Sequence, residues 1–452
     1  MIALVFLLLG SWWLWKKQFF LDRKFNSTAL GIAFVVKVLG ACALIALYTY
    51  YYSDTTKSDI HKYMRDAGVL VSHAYENPLS YFKILFGCYQ ESASTNDVFS
   101  QMLYWEKPNT YGLWNENQVI IRLDSVLYLL GGGSLFLATM VLVFISFCSQ
   151  IFLFRQILQN DYGHPKLLYL LIFYSPSLLI WSGGLLKEAW VVIFLNLFIA
   201  TLFSARRIQL LLLSLFGFVL LLIKPIVGAV LVLSMFVYFM FEMLRFRRFL
   251  YATIVLSAVA LIGLKINNDL TAIEYPKGKY EQVDFDQESV SYRNNVLGTG
   301  WNILEKLKFY QLGRRVEAKR EGAKSYIHIP ELDGTWFNFV WTFPFGIVTT
   351  CFRPLIWESS SPLIGLAALE NVFYLVLFVY WFRSGWRNTL TRNPVAMFCL
   401  VFFLLMGAFI GMVIPVLGNL VRYKVIIYPA FLLLISQIDI GLLPARLQRL
   451  LK

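Results

Sequence analysis

The sequence predicts an all-α, polytopic membrane protein, and three observations predict it. Hydrophobic residues fill 58% of the 452 positions and charged residues only 15%, with a mean hydropathy of +0.62; water does not dissolve a surface of that composition. Several apolar runs reach the roughly 20 residues that a helix rising about 1.5 Å per residue needs to cross some 30 Å of hydrocarbon. These runs are continuously apolar, whereas the strands of a membrane barrel alternate apolar and polar positions. A soluble enzyme, a disordered regulator, a fibrous protein and a barrel are thereby excluded. The runs predict about 10–12 transmembrane helices.

Taken in order, Ile2 to Trp15 has a basic pair after it and none before it, the reverse of a cleavable signal peptide, and reads as a short first span. Ala29 to Tyr48 is the second; it ends in Tyr48-Thr49-Tyr50-Tyr51-Tyr52, an interfacial aromatic belt, and Lys37 inside it is expected to snorkel. Hydropathy then falls. Within Asp59 to Ala74, residues Ile60, Tyr63, Met64, Ala67 and Val71 recur at helical spacing, which predicts an outer loop, 53–118, with amphipathic helices lying on the membrane.

Further spans are expected at Ser125 to Phe154, interrupted by Gly131-Gly132-Gly133, then at Leu167 to Trp181, Leu185 to Phe203, Ile208 to Ile223, Ile226 to Met243 and Phe249 to Leu264. Asn267 to Thr335 is polar with near-equal acids and bases. Trp336 to Phe352 is apolar enough to cross, yet a crossing would invert Pro362 to Phe382 relative to Arg383; with Pro344 inside it, it reads as re-entrant or interfacial, the alternative being that one of the earlier short runs does not cross. Ala396 to Ile414 and Val425 to Ile440 complete the set. The organisation is an N-terminal membrane region (1–265), a polar outer loop (266–335) and a C-terminal membrane region (336–452) with the re-entrant segment at 336–353.

A net charge of +13 invites nucleic acid in a soluble chain, but here the bases gather in short loops. The clusters are Lys16, Lys17, Arg23 and Lys24; Arg155 and Lys166; Arg206 and Arg207; Arg245, Arg247 and Arg248; Arg383, Arg387 and Arg392; and Arg446, Arg449 and Lys452. That distribution marks these loops and the C-terminus as cytoplasmic and implies no nucleic-acid partner. The cysteines Cys42, Cys88, Cys148, Cys351 and Cys399 form no disulfide framework, although Cys88 and Cys351 both fall on the outer side; the histidines His61, His73, His164 and His328 show no metal-ligand spacing. No metal and no cofactor is expected.

The polar residues at the outer ends of spans carry the chemistry. Asp54 and Asp59 follow the second span, Lys187 and Glu188 sit at a Pro/Ser/Gly-rich helix break, and Lys224-Pro225 joins two spans. Arg353-Pro354 leads to Glu358, and Asn419, Arg422 and Lys424 lie between the last two spans. Outer-face bases run against the positive-inside preference and need an anionic partner. A lipid phosphate or diphosphate fits, since Arg offers a planar fork and Lys a compact charge, while a nearby carboxylate is placed to take a proton from a sugar hydroxyl. The plain alternatives are N-capping by Asp54 and Asp59, a local Lys187–Glu188 pair, a snorkelling Lys224, and an Arg353–Glu358 bridge. Arg122 and Asp124 are expected to satisfy each other.

The Tyr52-Ser53-Asp54-Thr55-Thr56-Lys57-Ser58-Asp59-Ile60-His61-Lys62-Tyr63 stretch, the Pro176 to Glu188 break and the Asn419 to Pro429 stretch resemble the first outer loop, the helix break and the late Arg-containing segment of GT-C integral-membrane glycosyltransferases. The likeness departs from that family in lacking a DD, DE or ExD pair. It implies a bacterial inner-membrane enzyme whose active site is on the periplasmic face. The partners would be a polyprenyl phosphate- or diphosphate-linked sugar donor, a glycan or lipid acceptor, and membrane lipids. Asp54 would be the preferred general base and Asp59 its substitute, with Lys187, Glu188, Lys224, Arg353, Glu358, Asn419, Arg422 and Lys424 around phosphate and sugar. O-antigen and exopolysaccharide polymerases, with outer-face arginines and no obligatory Asp, are the neighbouring resemblance. A flippase for lipid-linked sugars and a non-enzymatic membrane subunit are the other classes.

Overall fold

The computed structural model describes residues 27–51, 58–90, 92–105, 116–204, 209–243, 303–320, 322–323, 325–384, 386, 390 and 393–451. The expected spans at Ile2 to Trp15 and Phe249 to Leu264, most of the 266–335 loop, Asp54 and several basic clusters lie outside the described residues. Among those described, the chain is helical, with a lone bridge between Tyr326 and Val416 in place of any sheet. Five helical segments are long and apolar enough to cross a bilayer: Thr28–Tyr50, Leu135–Gln159, Pro362–Arg383, Pro394–Val413 and Leu417–Ile435. The protein is membrane-embedded.

Helix α1 (Ser27–Ala46) runs into a π turn at Leu47–Tyr51. Helices α2 (Asp59–Glu76), α3 (Pro78–Leu85), α4 (Ala93–Ser100) and α5 (Glu116–Leu130) follow. The stretch expected to form one interrupted span is two helices, because Gly132 and Gly133 adopt φ of +59° and +81°, a left-handed turn that residues with a Cβ resist. Ser134 then caps α6 (Leu135–Gln159) through Leu137 N. The next expected span is also divided: Ser175-Pro176 separates α7 (Pro165–Tyr174) from α8 (Pro176–Trp181), since a proline ring cannot continue the preceding turn. Helices α9 (Lys187–Leu202), α10 (Gln209–Ile223) and α11 (Pro225–Met243) complete this half.

After α12 (Ile303–Arg320) come α13 (Trp336–Phe352), α14 (Pro362–Arg383) and α15 (Pro394–Val413). Ser361 and Asn393 cap α14 and α15, each followed by a proline at the first helical position. Helix α13 continues through Pro344 and lies antiparallel against α15. Thr342 meets Met412, and Thr350 Oγ1 donates to Gly407 O at 2.7 Å. The crossing depends on glycine: a Cβ at Gly411 would stand 2.0 Å from Gly346 O. Helix α16 (Leu417–Tyr423), a 3₁₀ turn at Lys424–Ile427 and α17 (Tyr428–Ile435) form the most enclosed span, followed by α18 (Ala445–Leu451).

Two ends of the bundle can be told apart. Asn160 Nδ2 donates to Phe203 O at 3.4 Å and His164 N to Ser436 O at 2.9 Å, so the last turns of α6, α9 and α17 meet at the end that carries Arg155 and Lys166. Lys187 and Glu188 begin α9, about 24 Å away at 1.5 Å per residue, and thus lie toward the opposite end. Helix α14 turns Leu369, Phe373, Val376 and Val379 outward, an exposed apolar stripe along a helix long enough to cross a bilayer.

Two expectations are corrected here. The apolar stripe of α2 does not lie on lipid: Ile60, Tyr63, Met64, Ala67 and Val71 are buried, and α2 packs along α5. Lys37 does not snorkel. It is buried and donates to Gln150 Oε1 at 2.9 Å and Ser182 Oγ at 2.8 Å, because α6 and the α8–α9 break cover that side of α1 and supply acceptors nearer than water.

Candidate functional site: a buried charge network

The site is centred on Glu188 in the first turn of α9. Its side chain is 0% exposed, and its oxygens accept from Arg422 Nε at 2.9 Å and Lys224 Nζ at 3.2 Å. Arg422 then reaches Asp59 Oδ2 through Nη1 at 2.7 Å. The four charges come from the start of α2, the start of α9, the α10–α11 junction and the end of α16, so residues up to 363 positions apart converge. Tyr423 floors the group, with Lys224 Nζ 4.1 Å from its ring centroid, a cation–π distance. Asp59 is its most open member, with 30% of its side chain exposed.

Lys187 points elsewhere and pairs with Glu116 at 2.8 Å. The local Lys187–Glu188 pair is therefore not formed: neighbouring positions on a helix diverge by about 100° and do not face each other. Lys224 likewise does not snorkel but closes on Glu188. Tyr63, one turn beyond Asp59 on α2, links the two pairs; its hydroxyl donates to Asn117 Oδ1 at 3.2 Å, and Lys187 Nζ stands 6.0 Å from its ring. Burial pushes the Tyr63 phenol well above its ordinary range; Asp59, Glu116 and Glu188 push the same way, and Arg422 opposes them. His61, whose basicity burial lowers, is held by Ser58 Oγ at 3.0 Å.

The remaining candidates do not join this group. Arg353 and Glu358 bridge each other at 2.6 Å. Lys424 donates to Asn371 Oδ1, and Asn371 Nδ2 to Pro354 O at 3.0 Å, so Lys424 faces α14, although it lies two positions from Arg422. Asn419 is exposed. Arg422 and Lys424 are not in a loop between spans. They are buried inside the Leu417–Ile435 segment, where protein partners rather than water compensate the charge. Arg122 and Asp124 do not pair either: Asp124 Oδ1 accepts from Trp190 Nε1 at 3.0 Å, its Oδ2 is unsatisfied, and Arg122 packs over Trp105. Cys88 and Cys351 are free thiols.

Sequence reasoning missed Tyr63 and Tyr423, hidden among many aromatics, and Arg314 of α12, which lies within electrostatic range of Tyr423. It also missed Glu370, whose signal was a lone acid inside an apolar run. Glu370 accepts from Ser175 Oγ at 2.6 Å, Ser177 N at 3.2 Å, Tyr374 Oη at 2.9 Å and also Ser177 Oγ. It caps α8 from α14 and so fixes the break that leads into Lys187 and Glu188.

Chemically, the network joins a fully desolvated carboxylate, two cations that it orients, and a more open carboxylate on the outer limb of Arg422. A guanidinium fork of this kind can also be taken by an anion with several oxygens, in competition with Asp59. Comparison with family models, curated proteins and solved structures finds no match to this chain.

Proposed function

We propose that the chain is a membrane glycosyltransferase that moves sugar from a polyprenyl phosphate- or diphosphate-linked donor to a glycan or lipid acceptor, at the outer face of a bacterial inner membrane. The observation that carries this reading is Arg422 held between Asp59 and Glu188, with Lys224 on the same buried carboxylate. Glu188 holds the two cations side by side and aims them. A donor phosphate takes the Arg422 fork from Asp59, and the released carboxylate accepts the proton of the acceptor hydroxyl as the glycosidic bond to phosphate breaks. Donor binding and base release are thereby one event. The position of the group, at the bundle end away from Arg155 and Lys166, agrees with an outer-face site if those bases are cytoplasmic.

The test uses the full-length protein in nanodiscs with lipid-linked sugars extracted from its host, and mass spectrometry of the products. Asp59→Asn is expected to abolish transfer while donor lipid still co-purifies, because only the base is lost. Arg422→Ala is expected to lose both. Asp54→Asn tests the other candidate base in the same assay. Products lengthened by repeated addition would mark the polymerase form of this chemistry. Transfer retained in both Asp59→Asn and Arg422→Ala would overturn the assignment.

A further inference from the structure

A cavity of about 10 Å³ lies among α13, α14, α15, the 3₁₀ turn and α17, with Cys351, Asn371, Tyr374, Lys424 and Tyr428 on its wall. Neither Glu188 nor Arg422 lines it. Empty cavities in proteins are apolar, whereas a space of this size with several polar groups around it suits one water. Two of those groups call for a further partner. Lys424 is 1% exposed; an ammonium carries three N–H donors, and the hydrogen bond it makes goes to Asn371 Oδ1. Tyr428 is 2% exposed, and among the described residues its hydroxyl has no hydrogen-bond partner, a state that costs free energy in a dry interior.

Tyr374, on the same wall, connects the cavity to a carboxylate. Its hydroxyl donates to Glu370 Oε1 at 2.9 Å, which leaves the phenol oxygen able to accept. Glu370 is buried and surrounded by donors: Ser175 Oγ at 2.6 Å, Ser177 N at 3.2 Å and Ser177 Oγ, besides Tyr374. Lys424 reaches Asn371 rather than Glu370, so the two charges make no direct ion pair. A water that accepts from Lys424 and Tyr428 and donates to Tyr374 satisfies all three and points every hydrogen bond the same way, from ammonium to carboxylate. The cavity also has a mouth. Of its lining residues only Cys351 is partly exposed, two positions before Arg353 and the loop that carries exposed Ser359 and Ser360.

We propose that this cavity is a one-water site, and that its water completes a proton relay from Lys424 to Glu370. Lys424 gives an N–H proton to the water, the water gives one of its own to Tyr374 Oη, and the tyrosine's proton passes to Glu370 Oε1. Lys424 is left as an amine and regains a proton from bulk water past Cys351, so the net step moves one solvent proton onto Glu370. A protonated Glu370 has one acceptor position fewer for Ser175, Ser177 and Tyr374. The relay thereby gives solvent a means of loosening the α8 break that leads into Lys187 and Glu188. The inference is independent of the glycosyltransferase reading.

Time-resolved infrared spectroscopy tests it, on the full chain in lipid nanodiscs after flash release of protons from a caged acid. A carboxylic-acid C=O band is expected to rise in the unaltered chain and to be missing in Glu370→Gln. Tyr374→Phe keeps the ring and removes the relaying oxygen, and Lys424→Met removes the first donor. In each the band is expected to rise about 10²-fold more slowly, the lower end of what a positioned acid or base contributes. A density map that resolves waters is expected to place one within hydrogen-bonding distance of Lys424 Nζ and of the Tyr374 and Tyr428 hydroxyls. No band that depends on Glu370, an unchanged rate in either variant, or no water in the cavity would each overturn the inference.

Discussion

Replacing Glu188 with Gln removes one charge from the centre of the network while keeping the side chain's shape. Glu188 is fully buried and serves two cations, at 2.9 Å and 3.2 Å. Hydrogen bonds to charged groups contribute about 1.5–3 kcal/mol each, and removing one member of a buried ion group costs about 3–5 kcal/mol, because the partners stay charged and desolvated. Both routes place Glu188→Gln at about 3–5 kcal/mol, large against the roughly 5–15 kcal/mol that holds a typical fold. The assay is reversible unfolding in mixed detergent–SDS micelles, run as a cycle with Lys224→Met. The double variant removes the orphaned ammonium as well as the carboxylate and is expected to be more stable than Glu188→Gln alone. The non-additivity should exceed the 0.3–0.5 kcal/mol or so seen for independent sites. A Glu188→Gln effect below about 0.5 kcal/mol, of the order of an ordinary surface change, together with additivity, would show that the network is hydrated and refute its description as a desolvated core.

Two further outcomes follow from particular contacts. Gly411→Ala puts a Cβ 2.0 Å from Gly346 O and 2.8 Å from Thr350 Oγ1, so α13 and α15 must separate; a loss of about 1–3 kcal/mol or more is expected, read as a lowered unfolding temperature in detergent. Asp66 accepts from the amides of Leu103 and Tyr104 at 3.0 Å and 2.7 Å, yet burial pushes its carboxyl up against that pull. With the folded value above the unfolded one, its contribution is complete below the usual carboxylate range and is lost as pH rises through the folded value. Asp66→Asn is therefore expected to flatten the pH dependence of unfolding across that window; an unchanged slope would count against it.

Much of the fold was legible because bilayer thickness imposes a length on apolar runs, and a run is visible without knowing its neighbours. The divisions were less legible. Gly131 to Gly133 and Ser175-Pro176 each lie inside an expected span, yet a left-handed turn and a proline at a helix start both end one helix and begin another. Periodicity located the apolar stripe of α2 but gave no indication of what would cover it; protein and lipid ask for the same side chains. The cover proved to be α5.

The charge network was legible in its members and not in its pairing. Loop-charge asymmetry singled out Lys187, Lys224, Arg353, Arg422 and Lys424 alike, because the positive-inside preference scores a residue by its position along the chain. Pairing depends on direction, and consecutive helical residues point about 100° apart. Lys187 and Glu188 consequently serve different partners, and Arg422 and Lys424 serve different helices. The same consideration explains Glu370 and Asn371, adjacent on α14. One holds the α8 break upstream of Glu188 and the other holds Lys424 downstream of Arg422. Both arms of the Glu188–Arg422 contact are thus tied, a few residues away on each side, to one helix that contributes no charge to it.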